Sequence, residues 1–417
     1  MTAATQAAAH ARRPGPVLVG MKTFQIVVLG AGYTGLMAAL GAARRTRRLG
    51  GRVTLVNPSS RFTERLRMHQ IASGQRLADR PIPHLIAGSG IEFVEGRAER
   101  LDPARRTISV VAADGAEREI GYDVAVIALG SVADTVTVPG ADAHAFTLDS
   151  PHTAARLAER LAAEPGGTVA VVGAGLTGVE AAGEIAERHP GGEVVLLGRE
   201  EPGPMMSAPA REYLGRALER LGVRVRAGVA VARVRPDGVE LAGGEVVPAA
   251  AVLWTTGFSA RPLAREAGLA VDEKGRVVVD DTLRSVSHPD IYAVGDSAAI
   301  RQAWGTIHGT CQSGIPTGAY RRRRHRPPPA RPPGEAVPLR LLPPAGLAGP
   351  PRRGHPVHPP RRLAEAVLPE GPGGRALQGA GDQQPAALLP HGAAGHAALR
   401  GLRPQPRPRA SSVNGGR

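Results

Sequence analysis

Phe24-Gln25-Ile26-Val27-Val28-Leu29-Gly30-Ala31-Gly32-Tyr33-Thr34-Gly35 decides the fold, and the chain carries a counterpart at Thr168-Val169-Ala170-Val171-Val172-Gly173-Ala174-Gly175-Leu176-Thr177-Gly178. Each is a short apolar run, then G-x-G-x-x-G, then helix-forming residues: Leu36–Leu40 in one case, Val179–Ala182 in the other. A short apolar run closed by glycine reads as a parallel strand buried on both faces. The first glycine permits the tight turn, the second lets backbone approach a pyrophosphate, and the third lets helix pack on strand. The helix N-terminus then faces phosphate charge. One such motif is weak. Two in the same strand–turn–helix frame predict two dinucleotides, naturally a flavin and a nicotinamide dinucleotide.

Around these anchors the chain reads as α/β. Arg52-Val53-Thr54-Leu55-Val56 is the next strand, and Asn57 stands where an acid usually accepts from a ribose hydroxyl. Its carbonyl can still accept, without the charge. A polar stretch, Arg61–Gln70, contains Arg67. Ile91–Ala98 is read as one strand with Ala98 toward the adenine, and a hairpin spans Thr107–Ile120 around Asp114-Gly115. Asp123–Gly130 is a buried strand ending in a glycine turn, with Ala128 and Gly130 at its tip. The second unit begins with a helix near Thr153–Ala163, continues through Glu193–Leu197, and closes at Ala251–Gly257. Gly198-Arg199 stand where NAD binders usually carry an acid. Its loss beside an arginine suits the 2′-phosphate of NADP, while Glu200 is near enough to take the ribose role instead. Asp290–Asp296 is a further buried strand ending in Gly-Asp; its return to the first unit makes the second unit an insertion.

Charge is divided unevenly. The chain is formally +15, but residues 321–417 hold 17 arginines against four acids, a net of +13, leaving +2 for 1–320. The same segment holds 20 of the 38 prolines and no Phe, Tyr, Trp or Lys. Such a tail cannot build a core, so it is expected to be disordered, and its basicity implies no specific nucleic acid. Its Gly/Pro/Arg/Ala bias resembles GC-rich DNA read out of frame, and shifting plausible codons by one base restores foldable patterns in three places. Residues 1–21 read as a disordered extension, with Met21 available as a start. Val17-Leu18-Val19 is too short for a signal core, and no stretch reaches the ~20 apolar residues of a membrane span. A cytoplasmic protein is expected. The single cysteine, Cys311, excludes any cysteine pair within the chain and reads first as a small buried side chain. No metal site is expected.

The ordered set GAGYTG, ALGS, GAGLTGVE, TTGF and YAVGDSA resembles the FAD/NAD(P)-dependent pyridine nucleotide oxidoreductase superfamily, and within it the type II NADH dehydrogenase-like flavoproteins, over roughly 22–320. The resemblance implies two Rossmann-like three-layer domains: FAD-binding at 22–150 and 266–320, NAD(P)H-binding at 151–265. It implies FAD at Gly30, Gly32, Tyr33, Thr34 and Gly35, with Asn57, Arg67, Ala98, Ala128, Gly130 and Asp296. NAD(P)H falls to Gly173, Gly175, Leu176, Thr177 and Gly178, with Arg199 and Gly257. Glu180 falls near the nicotinamide–flavin contact, and Gln312 near the flavin on the quinone side. Glu180 is equally a charge favoured near a helix N-terminus, and Asp296 a turn-stabilising aspartate. The resemblance implies a quinone or other small electron acceptor, peripheral contact with the inner face of a membrane, and room for a homodimer. Asn57, Gly198 and the tail depart from its usual pattern. A reductase of a small iron–sulfur or haem protein, a flavin-bound sensor, and an inactive product of a frameshifted gene remain the other readings.

Overall fold

The structure is a computed structural model that describes residues 23–302 and 305–306. The N-terminal extension, the arginine–proline tail, Cys311 and Gln312 lie outside the described residues. In chain order the strands of the two main sheets are β1 (Phe24–Leu29), β2 (Gly51–Asn57), β3 (Ile91–Glu95), β4 (Val124–Ile127), β5 (Ala145–Phe146), β6 (Val169–Val172), β7 (Val194–Leu197), β8 (Val223–Arg226), β9 (Ala251–Trp254) and β10 (Ile291–Ala293). The helices that matter below are α1 (Tyr33–Thr46), α2 (Met68–Ala72), α3 (Pro151–Ala163), α4 (Leu176–Arg188) and α5 (Ala208–Arg220).

The first sheet runs β10-β4-β1-β2-β3 and the second β8-β7-β6-β9-β5, every pair parallel. Both place the fingerprint strand third, and in both the order of strand addition reverses beside it, the arrangement in which ligands bind at the carboxyl ends of the strands. β10 returns after the whole second sheet to pair with β4 through Ile291 and Ala125. The second sheet in turn takes its outer strand, β5, from 145–146, just ahead of the boundary expected at 151.

The apolar runs are buried on both faces, as their composition requires. Ile26, Val27, Val28 and Leu29 are each 0% exposed. In the second unit, alternate side chains enter different cores. Val169, Val171, Val194, Leu196 and Leu253 pack with Leu157, Ile185 and Leu218 of α3, α4 and α5. Ala170, Val172, Val195, Leu197 and Trp254 pack with Val234, Val239 and Val247 from an antiparallel sheet. Period-two alternation thus makes three layers: helices, parallel sheet, antiparallel sheet. The first unit repeats the plan with the antiparallel strands Arg97–Asp102, Thr107–Val111 and Glu117–Gly121. Burying one large aliphatic side chain in these layers contributes about 1.5–3 kcal/mol.

The segment read as a single strand, 91–98, is divided. Ile91–Glu95 joins the parallel sheet and Arg97–Asp102 the antiparallel one. Gly96 makes the break: a Cβ there would stand 2.6 Å from Val110 Cγ1. The polar stretch at 61–70 also does more than its composition suggests. It forms a 3-10 turn and α2, which sends Met68 and Ala72 into the second unit's core. The helix expected near Thr153 begins two residues earlier, behind a Ser150 cap whose Oγ accepts from Thr153 N–H at 3.1 Å.

Candidate functional site: two dinucleotide cradles

At the end of β1 the chain enters Gly30 with φ +96°, and at the end of β6 it enters Gly173 with φ +120°. Only glycine takes these conformations freely. Their N–H groups donate to Val56 and Leu197 carbonyls, each at 2.8 Å, so the two turns are built alike. The third glycines pack tightly: a Cβ on Gly35 or Gly178 would collide with the carbonyl oxygen of Gly30 or Gly173. The second glycines are the opposite. A Cβ on Gly32 or Gly175 would meet nothing within 4 Å. These residues also begin α1 and α4, where neither first turn holds an acid and neither cap residue supplies a side-chain acceptor. The open space at two helix starts fits a pyrophosphate at each site.

Of the residues expected at the first cradle, the contacts bring Thr34, Asn57, Ala128, Gly130 and Asp296 together around the turn, and show none between it and Arg67 or Ala98 among the described residues. Asp296 lies in the turn Gly295–Ser297 just past β10 and accepts from Ser131 Oγ at 2.8 Å. Ser297 Oγ accepts from Gly130 N–H at 3.0 Å. A Cβ on Gly295 would stand 2.8 Å from Thr34 Oγ1, so the Gly-Asp corner abuts the fingerprint itself. Ala128 donates its N–H to Leu29 O at 2.9 Å, closing the floor beside Gly30. Tyr33 stands edge-on to Phe62, ring centres 5.0 Å apart. Asn57 is partly spent on the protein. Its Oδ1 accepts from Ala31 N–H at 2.9 Å and its Nδ2 donates to Ser59 O at 2.7 Å. A ribose hydroxyl would share that carbonyl rather than own it. Arg67 donates from Nε to Gln70 Oε1 at 2.8 Å and lies 3.6 Å from Glu64. Ala98 is half-buried in the antiparallel sheet, opposite Val110.

In the second cradle Leu176 and Thr177 are exposed at the start of α4. Gly198 directly follows β7 at the place where Asn57 ends β2, and it is buried against Ala174; a Cβ there would stand 2.5 Å from the alanine Cβ. Arg199 is therefore the first residue of the turn with an exposed side chain. Gly257, φ +70°, lies beside Asp134, whose carbonyl accepts from Trp254 Nε1 at 2.8 Å.

Glu180, one turn along α4, faces the first unit. Its Oε2 is 3.8 Å from His69 Nδ1 of α2. Burial pushes the glutamate up to about 7, and burial, helped by the Arg67 charge, pushes the histidine down to about 4. At neutral pH the histidine is thus uncharged, and 3.8 Å is too long for a hydrogen bond. The glutamate side chain still keeps 42% of its surface open. Water thus reaches the carboxyl although protein surrounds most of it. Ser131, Ser297 and His69 were not singled out from sequence. The two serines stand inside the ALGS and YAVGDSA motifs, which was their only signal.

Two glycine-rich turns of the same build, on duplicated three-layer units, fit a two-cofactor oxidoreductase. The chain matches the family model for pyridine nucleotide-disulphide oxidoreductases over residues 24–315, and it belongs to that family. It is 34% identical over 317 residues to an NADH dehydrogenase-like protein of Mycobacterium tuberculosis, covering 71% of this chain and 78% of that one. It is 25% identical over 305 residues to a type II NADH:quinone oxidoreductase of Staphylococcus epidermidis, covering 66% and 74%. A solved NAD-dependent persulfide reductase from A. fulgidus superposes with TM-score 0.62 at 25% identity, covering 71% and 58%. The chain is an FAD-dependent NAD(P)H oxidoreductase.

Proposed function

We propose that this oxidoreductase passes electrons from NAD(P)H to a quinone-like acceptor without a redox cysteine pair. The observation that carries the reading is the second glycine-rich turn built like the first, with Glu180 of its helix 3.8 Å from His69 of the first unit, in a sequence whose one cysteine is Cys311. Bound FAD supplies the two-electron chemistry, a hydride taken from the nicotinamide and two electrons given onward. The chain supplies position. The starts of α1 and α4 hold the two pyrophosphates, and Asp296, braced by Ser131, offers a carboxylate at the first cradle. Glu180 supplies a proton-holding group, its carboxyl pushed up to about 7 by burial. A quinone that accepts two electrons also takes two protons, and this carboxyl is suited to hold one. Arg199, exposed where an acid would reject a 2′-phosphate, favours NADPH being used at least as well as NADH. Among the described residues no helix is long and apolar enough to cross a membrane, so a quinone dissolved there would be met at the protein surface.

The test is anaerobic turnover with a short-chain quinone, a dithiol-linked disulfide substrate, and a small iron–sulfur protein as competing acceptors. Quinone should be reduced and the disulfide not, with Cys311→Ser nearly unchanged. A flavin-bearing Cys311→Ser protein without turnover would falsify the thiol-independent route. Arg199→Glu should move kcat/KM toward NADH by about tenfold, the scale of one lost charge contact. A wild type already strongly selective for NADH would refute the role given to Arg199.

A further inference from the structure

The turn from Met68 to Gln75 belongs by sequence to the first unit and by packing to the second. Met68 is 1% and Ala72 0% exposed, both inside the core formed by α3 and α4. Its polar side meets one face of α4. His69 stands beside Glu180, and Gln75 Nε2 donates to Glu184 Oε1. Glu180 and Glu184 are four residues apart, so they share that helix face. The Glu184 side chain is only 7% exposed. Its other partner is Arg188, 3.6 Å away and half-exposed. Gln75 is itself fixed, its N–H donating to Gln70 O at 2.8 Å and its Nε2 also reaching Ser73 Oγ at 3.4 Å.

A buried carboxylate is a poor way to stabilise a core, because desolvation offsets what its contacts return. What it provides is direction: the acceptor must meet its donor at one angle and distance. Here the donor comes from the other unit. The units are joined as well by the packing of Met68 and Ala72, by Trp254 Nε1 donating to Asp134 O at 2.8 Å, and by a slender ribbon, Ser131–Val132 paired antiparallel with Ser259–Ala260. Apolar packing and a two-residue ribbon fix distance more than angle, and the Gln75–Glu184 hydrogen bond adds a directional contact to them.

We propose that Glu184 is a positioning residue for hydride transfer: its contact with Gln75 fixes the helix that carries the second fingerprint, and with it the bound nicotinamide, against the flavin-binding unit. The proposal rests on the functional reading above. Hydride transfer demands reacting atoms about 3–3.5 Å apart, and an ångström of displacement can cost on the order of a hundredfold.

Glu184→Ala, Glu184→Gln and Gln75→Ala are compared with wild type as FAD-loaded full-length chains. Stopped-flow absorbance reads flavin reduction at saturating NADH or NADPH. Reoxidation by quinone is read separately on enzyme reduced by light. Hydrogen exchange of residues 68–76 reads the contact itself, with no turnover. Glu184→Ala and Gln75→Ala should slow reduction at least about tenfold, leave quinone reoxidation of the photoreduced enzyme within about twofold, and speed exchange at 68–76. Glu184→Gln, whose carbonyl still accepts, should stay within about threefold of wild type. Gln75 is only half-buried, so its variant carries the test if Glu184→Ala does not fold. Unchanged reduction in Gln75→Ala, or an equal loss in both half-reactions, overturns the proposal. Wild-type flavin that neither nucleotide reduces counts instead against the proposed function.

Discussion

At the residue scale, His69 and Glu180 give folding two opposed pH slopes. The His69 value falls from 6.5 to about 4 on folding. Below 6.5 the unfolded chain binds a proton the folded one refuses, so stability is full above 6.5 and lost as pH drops toward 4. The Glu180 value rises from 4.5 to about 7. There the folded chain keeps a proton the unfolded one releases, so stability is full below 4.5 and lost as pH climbs toward 7. His69→Gln should flatten the acid side of a Tm-against-pH curve, and Glu180→Gln should raise Tm at pH 8 relative to pH 5. Parallel curves for either variant and wild type would remove the assigned burial effects. The fingerprint glycines separate fold from cofactor in the same way. Gly32 points into open space, so Gly32→Val should fold normally yet purify colourless. Gly35 has no room, so Gly35→Ala should lose about 1–3 kcal/mol of stability by denaturant melting, the usual cost of overpacking. A yellow Gly32→Val protein would contradict the placement of the pyrophosphate.

At the element scale, what could be read from sequence was what short-range chemistry dictates. β1, β6, β4 and β9 are β-branched and apolar runs closed by glycine, and such runs have few other uses. The hairpin at Asp114-Gly115 is likewise a local signal, and strands Thr107–Val111 and Glu117–Gly121 flank it. α2 was illegible for the opposite reason. It has five residues, too few to show a helical period, and its partners in α3 and α4 lie some hundred residues away. Asn57 was legible as an acceptor at the right strand end, but its bond to Ala31 N–H depends on how two strand ends meet. α3 shows how far a local signal extends. Ser150 and Thr153 close a capping box, so Ser150→Ala should cost about 1 kcal/mol in urea unfolding. No change would mean that tertiary packing alone sets that helix start.

At the scale of the whole molecule, the first sheet is completed by a strand from beyond the second, and the second by a strand from before itself. Each unit thus needs chain from outside its own continuous span, which ties their folding together. The net of +13 in 321–417 falls outside the described residues, and the body at +2 is an ordinary enzyme surface. The central claim is that one cradle holds FAD and the other the nucleotide that reduces it. Anaerobic titration of the purified yellow protein with NADH or NADPH, read at the flavin absorption bands, tests this most directly in wild type beside Gly175→Val. Wild type should bleach at one equivalent of nucleotide. Gly175→Val, altered only where the second cradle is open, should keep its flavin and fail to bleach at that concentration. A wild type without flavin, or a Gly175→Val protein that bleaches as readily as wild type, would contradict the account.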